Sequence, residues 1–201
     1  NLIKDFKNSA KRANRIGFDC LEVHMAHGYM LHQFLSPISN LRKDDFGGSL
    51  KNRCSIPLKI AKEIRKAWPK NRILGARITA TDHLSNGIKL KDAIHLVKEL
   101  KKIGFDYVCV SSGGILTKTN LKFKKGFRTN LSKEIKKKTS VITQVTGLIT
   151  DLKQANKIIL DKKADLIAIG RIFLKDPMWI YKAAKKSNRD NLIPPQYQRG
   201  F

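Results

Sequence analysis

Acidic residues are scarce in this chain: 16 Asp and Glu stand against 41 Lys and Arg, a formal net charge of +25 at pH 7. Such an excess raises the question of a polyanion partner. The lysines, however, are spread over nearly every predicted helix, as in Lys59, Lys62 and Lys66, Lys98, Lys101 and Lys102, or Lys182, Lys185 and Lys186. Nucleic-acid proteins concentrate charge on one face and interleave aromatics, and aromatics make up only 7% of this chain. The pattern is read as solvated surface, with nucleic acid not expected as a partner. Cysteine is scarce too. Cys20, Cys54 and Cys109 are odd in number, far apart and form no C-x-x-C. That excludes a disulfide or zinc framework and predicts free buried thiols in a reducing, cytoplasmic setting. No apolar run approaches the roughly 18 residues that a membrane span needs, so no membrane association is expected. The opening Asn1-Leu2-Ile3-Lys4-Asp5 lacks both an initiator Met and the basic, apolar, small-residue succession of a secretory leader.

What is present is an alternation of helical and strand patterns in 201 residues with 41% hydrophobic content, enough to bury a core. Helices are predicted over 2–15, 50–67, 90–103, 131–138, 150–163, 172–175 and 177–186, with Thr150 as N-cap of the fifth and Pro177 opening the last. Strands are predicted over 19–25, 72–80, 105–112, 140–145 and 164–170. The strands are continuous apolar runs, which indicates a parallel sheet covered by helices. "IGFDCLEV", "IGFDYVCV" and "KKADLIAI" repeat one device: helix end, short turn, Asp, strand. A doubly wound sheet would carry a Gly-rich fingerprint after its first strand, and none is present. A (β/α)8 barrel instead places polar residues at the C-terminal ends of its strands. That is the pattern of His24/His27, Arg77, Ser111/Ser112, Gln144/Gly147 and Gly170/Arg171. A full barrel needs about 250 residues. Residues 1–201 are therefore read as one α/β domain, the C-terminal portion of a TIM barrel comprising strands four to eight with their helices.

The strand ends define the chemistry. In an extended strand His24 and His27 point to opposite faces; a turn after His24 lets both face one site. Two neutral imidazoles then offer N–H donors to a carbonyl or phenolate oxygen and stabilise charge growing on it. The Tyr29 hydroxyl can donate a proton to a carbon centre. Two other readings stand beside this one: His24, His27 and His32 collect a metal ion for a lyase or hydrolase, or the histidines are structural, with His32 packed in the following helical turn. Arg77, inside an apolar strand, needs an anionic partner, either a cofactor ring or Glu22. "VTGLITD" (145–151) and "IGRIFLKDP" (169–177) place Gly147, Gly170 and Arg171 just after the last two strands, as in barrel phosphate sites. "SSGG" (111–114) adds Ser112 and Gly113 from the neighbouring strand end. A non-catalytic basic half-barrel remains the alternative to an enzyme.

These motifs also resemble a known family. "HMAHGYMLHQFLSPISNLRKDDFGGSLKNR" (24–53) is similar to the signature region of the old yellow enzyme family of flavin oxidoreductases. "VSSGG", "VTGLITD", "ADLIAIGRIFLKDP" and "QYQRGF" resemble its bacterial NADPH dehydrogenase branch. The resemblance implies a (β/α)8 barrel with noncovalent FMN, NADPH as reductant, and reduction of α,β-unsaturated carbonyl or nitro compounds. It implies His24 and His27 at the substrate oxygen, with Met25 and Ala26 in the same substrate-binding stretch, and Tyr29 as proton donor. It places Arg77 at the flavin's N1 side, and Ser112, Gly113, Gly147, Gly170 and Arg171 in the cofactor site. Arg199 is implied to reach a neighbouring subunit's active site in a homo-oligomer; the alternative is a frayed surface tail. Asn40, Arg42, Asp44, Gly47, Gly48, Asn52 and Arg53 are read as a structural loop. The family's first three βα units have no counterpart here, so the chain is expected to be a piece of a longer protein.

Overall fold

A computed structural model describes residues 1–116 and 123–201. Five strands, β1 (Cys20–Met25), β2 (Ile73–Thr79), β3 (Tyr107–Ser111), β4 (Ile142–Val145) and β5 (Leu166–Ile167), form one parallel sheet in sequential order. Around them run α1 (Leu2–Arg15), α2 (Met30–Leu35), α3 (Leu50–Ala67), α4 (Leu90–Ile103), α5 (Thr129–Thr139), α6 (Leu152–Leu160), α7 (Arg171–Lys175), α8 (Trp179–Lys186) and α9 (Pro195–Gln198). This is the expected repetition of βα units, with the register His24↔Arg77↔Cys109↔Gln144 running straight across four strands.

Alternation along each strand separates two faces. Val23, Met25, Leu74, Ala76, Ile78, Val108 and Val110 point to the helices and join Ile60, Ala61, Ile64, Leu96, Val97, Leu100 and Ile135 in one buried core. Each such large side chain, fully removed from water, contributes about 1.5–3 kcal/mol before its entropy is counted. The alternate positions face the other way. There Ile73, Ile142 and Leu166 remain 53%, 51% and 46% exposed, lining what would be the interior of a closed barrel. Cys20 shares that face and is exposed, whereas Cys54 and Cys109 are buried. The expectation of three buried thiols is corrected accordingly.

The repeated Asp has a definite task. The Asp106 carboxylate accepts the Leu74 N–H at 2.8 Å, and the Asp165 carboxylate accepts the Thr143 N–H at 2.9 Å. Each Asp entering a strand thus ties down the start of the strand before it. Predicted helix limits at 2–15, 50–67 and 90–103 are those observed. Ser49 caps α3 by accepting the Asn52 N–H, and Gly104 closes α4 at φ +98°. Later boundaries differ. Asp151, not Thr150, caps α6 through the Gln154 N–H, because Thr150 lies one residue short of that reach. The last of the predicted helices, α8, begins at Trp179, two residues beyond Pro177. Strand 164–170 shortens to Leu166–Ile167, because β5 pairs only with β4, through Gln144↔Leu166 and Val145↔Ile167.

Two strand exits touch backbone to backbone. Gly28 has φ +76° and Gly114 φ +92°; a Cβ on Gly28 would stand 2.5 Å from the Gly114 carbonyl oxygen, and one on Gly114 would stand 2.7 Å from His27 Cα. Glycine is required at both places by conformation and by space. Gly114→Ala is therefore expected to lose roughly 1–3 kcal/mol in a urea titration through combined backbone strain and overpacking. An unchanged midpoint would show that the two loops are not in contact.

Candidate active site

The chain turns two residues later than the sequence suggests. Ala26 accepts the Tyr29 N–H at 3.2 Å, and His27 adopts φ +58°. The turn swings the His27 ring back over the inner face of the sheet, where its centroid lies 5.4 Å from that of His24. Tyr29, still 64% exposed, stands with its ring 5.2 Å from His24. His27 Nε2 meets Ser111 Oγ at 2.5 Å, and the His27 N–H donates to Thr79 Oγ1 at 3.3 Å. The ends of β2 and β3 thereby hold the residue that the β1 turn presents.

Both imidazoles are kept neutral. Burial, followed by the charge of Arg77, brings the His27 pKa down to about 4 and lowers that of His24 in the same order of causes. His32 is not their third partner. Fully buried, it accepts the Gly28 N–H at Nδ1 (2.8 Å) and meets the Asp82 carboxylate at Nε2 (3.0 Å). Asp82 also accepts from Ser36 Oγ and the Ile88 N–H, each at 2.8 Å. Burial raises the Asp82 pKa, but these hydrogen bonds outweigh it and hold the carboxyl below its ordinary value. With both ring nitrogens engaged, His32 pins the loop, and the three-histidine metal arrangement considered from sequence is not formed.

On the other side of the mouth, a cavity of about 280 Å³ lies between the β4 and β5 exits, lined among others by Arg77, Thr146, Gly147, Gly170 and Arg171. The structure thus brings together four residues that sequence reasoning assigned to a cofactor. It adds one that was missed, Arg128, which donates to Ser112 Oγ at 3.0 Å, the Ser112 carbonyl at 2.9 Å and Thr146 Oγ1 at 3.0 Å. The run "KKGFRTN" gave no signal beyond generic basic character. Arg77 does not pair with Glu22. The register sets Glu22 beside Gly75, two residues before Arg77, and there Glu22 accepts the Tyr107 hydroxyl at 3.0 Å. Arg77 Nε is instead buried without a hydrogen-bond partner among the described residues.

Other expected site residues sit differently. Met25 is fully buried in the helix-facing core and Ala26 is fully buried as well, which corrects the expectation that they meet a substrate. Gly113 donates its N–H to the Thr81 carbonyl and lies outside the cavity lining, and Ser112 reaches the cavity through Arg128. Arg199 is exposed at the C-cap of α9, next to the grouped rings of Tyr181, Tyr197 and Phe201. The 40–53 loop is structural as expected. Asn40 Nδ2 donates to the Phe34 and Phe46 carbonyls at 2.7 and 2.8 Å, and Arg53 donates to those of Leu35 and Gly48.

A parallel βα sheet with its polar groups gathered at the strand C-termini defines the class, a portion of a (β/α)8 barrel. It superposes on morphinone reductase in complex with tetrahydroNAD (TM-score 0.73, 25% identity, 94% of this chain and 48% of the other). It also matches the old yellow enzyme homologue from Zymomonas mobilis (TM-score 0.75, 22% identity, 92% of this chain and 51% of the other), a likeness of fold. Residues 1–190 match the NADH:flavin oxidoreductase / NADH oxidase family, and the chain belongs to that family. It is 37% identical over 199 residues to NADPH dehydrogenase from Bacillus subtilis. That alignment takes in 99% of this chain and 58% of the relative, so the chain spans somewhat over half the length of such a relative.

The residues present fit an anionic cofactor. Arg77 offers a buried N–H with no acceptor, and a Cβ at Gly170 would meet nothing within 4 Å, leaving the backbone open to close approach. No ion pair among the described residues includes Arg77, Arg128 or Arg171.

The lowered histidine pKa values carry a pH signature. Unfolded, these rings take up a proton near 6.5; folded, His27 resists until about 4. Below about pH 6.5 the unfolded state therefore binds more protons, and stability falls as pH drops from that value toward 4. Imidazole resonances followed by NMR should show His27 neutral throughout pH 5.5–8. A midpoint at or above 6.5 would mean that the ring is solvated and free of the mouth.

Proposed function

We propose that this chain supplies the phosphate-holding and substrate-oxygen-holding portion of an FMN-dependent, NADPH-oxidising ene-reductase. Its substrates on this reading are small α,β-unsaturated carbonyl or nitro compounds. The observation that carries it is the mouth itself: two neutral imidazoles on one side, three arginines without a carboxylate on the other, and a buried Arg77 N–H without an acceptor beside them. The family and the dehydrogenase names of its relatives support the same reading.

Bound here, FMN would supply the hydride, with NADPH as its reductant. The protein's part is positional and electrostatic. Gly147, Gly170 and Arg171 hold the phosphate, Arg171 through a charge-assisted bond. Arg77 offers its free N–H and its charge to whichever part of the cofactor becomes anionic. His24 and His27 donate to the substrate oxygen. His27 Nε2 is engaged with the Ser111 hydroxyl, which leaves Nδ1 as the ring nitrogen that can face a ligand. Neutral donors suit this task, because charge grows on the oxygen only as hydride arrives, and they stabilise that change without binding an uncharged ground state too strongly. The exposed Tyr29 hydroxyl, beside His24, delivers a proton to the substrate's α-carbon. Arg199, on its exposed tail, is suited to reach a second copy of the chain, and a homo-oligomer in the cytoplasm is part of this proposal.

Replacing His24 and His27 together with Ala is expected to weaken binding of a para-substituted phenol to the flavin-loaded protein by roughly 10- to 100-fold, the range of two lost hydrogen bonds between neutral groups. Flavin affinity should stay within about twofold, since the imidazoles lie outside the phosphate cavity. Calorimetry with phenol and fluorescence quenching with FMN separate the two. Phenol affinity that survives the double substitution would remove the histidines from the substrate site.

A further inference from the structure

Arg128 precedes α5 as its N-cap residue, and its guanidinium lies back across the ends of β3 and the loop after β4. Its face rests on the Phe127 ring, with Cζ 4.3 Å from the centroid. Its three hydrogen bonds go to neutral oxygens: Ser112 Oγ, the Ser112 carbonyl and Thr146 Oγ1. A guanidinium has five N–H donors, so two remain without a partner among the described residues. No described carboxylate pairs with it, and residues 117–122 contain neither Asp nor Glu. The surroundings oppose its charge. Burial, then the charge of Arg77, with Arg171 adding, bring its pKa down to about 10. Three guanidiniums around one small cavity repel each other, and a half-buried cation without a counter-ion is unfavourable. Ser112, Thr146 and Phe127 nevertheless hold this one in a fixed plane, as a preorganised anion site requires.

We propose that Arg128 is a third anion-binding arginine of the cavity, and that it makes the site select a doubly charged phosphate monoester over the same ligand without its phosphate. With FMN as that monoester, the inference rests on the flavin reading above; the anion preference itself does not. Arg128, from the loop before α5, then joins Arg171, from the β5 exit, at the phosphate, with Arg77 beside them in the same cavity.

The test compares wild type, Arg128→Gln and Arg128→Lys with three probes: FMN, riboflavin and inorganic phosphate. Glutamine retains a donor toward Ser112 and Thr146 without the charge; lysine retains the charge without the fork. FMN affinity, read by fluorescence quenching, is expected to fall roughly 10- to 100-fold in Arg128→Gln and to recover in part in Arg128→Lys, as loss of charge-assisted bonds dictates. Riboflavin affinity should stay within about twofold, and inorganic phosphate binding by calorimetry should weaken alongside FMN. Equal loss of FMN and riboflavin in Arg128→Gln would make Arg128 a structural prop and overturn the proposal, as would unchanged FMN affinity; in either case the flavin reading stands. Phosphate binding that depends on Arg128, in a protein that takes up no flavin, would support this proposal and overturn the flavin reading. Wild type that binds neither FMN nor phosphate would overturn both.

Discussion

Positive charge concentrated where no carboxylate answers it is the constraint on which this mouth depends. Arg77 comes from the middle of β2, Arg128 from the loop before α5 and Arg171 from the exit of β5, and all three line one cavity. Burial sets the protonation of the neighbouring imidazoles first, and the field of Arg77 adds to it, so His24 and His27 stay neutral. The same field therefore leaves unanswered positive charge on one side and uncharged imidazoles on the other. A single carboxylate among the arginines would weaken both at once.

The fold makes room for this arrangement by anchoring it elsewhere. The buried Asp82 collects His32, Ser36 and the Ile88 backbone, and His32 in turn holds the Gly28 N–H. The β1 exit, the start of α2 and the β2 exit are thus tied through one carboxylate. Gly28 and Gly114 then let the β1 and β3 exits meet without side chains between them. Beneath, the strands face two apolar clusters, a large one under β1 to β3 and a smaller one under β4 and β5, so polar chemistry gathers at the strand tips, as a parallel βα sheet requires.

The inner face tells a different story. Its row of apolar and polar side chains, from Cys20 and Ile73 to Ile142 and Leu166, is laid out like a barrel interior, yet much of it is open to solvent. Relatives of the family run longer, this chain covering 58% of the Bacillus subtilis NADPH dehydrogenase. Asp19 marks the same device in miniature. It occupies the place before β1 that Asp106 and Asp165 hold before β3 and β5, but among the described residues β1 is an edge of the sheet, with no strand on its far side.

Local pattern alone settled much of this protein. Helices 2–15, 50–67 and 90–103, the parallel order of apolar strands, and the candidacy of His24, His27, Arg77, Gly147, Gly170 and Arg171 were all legible, because periodicity, caps and strand-end polarity are properties of neighbouring residues. The tertiary structure decided what distant residues do to one another. It engaged both nitrogens of His32 with Gly28 and Asp82, separated Glu22 from Arg77 by giving it to Tyr107, buried Met25 by the two-residue period, and brought Arg128 across the strand ends. None of these is written in spacing, since each depends on which strand exits lie side by side and on where a buried charge finds, or lacks, its partner.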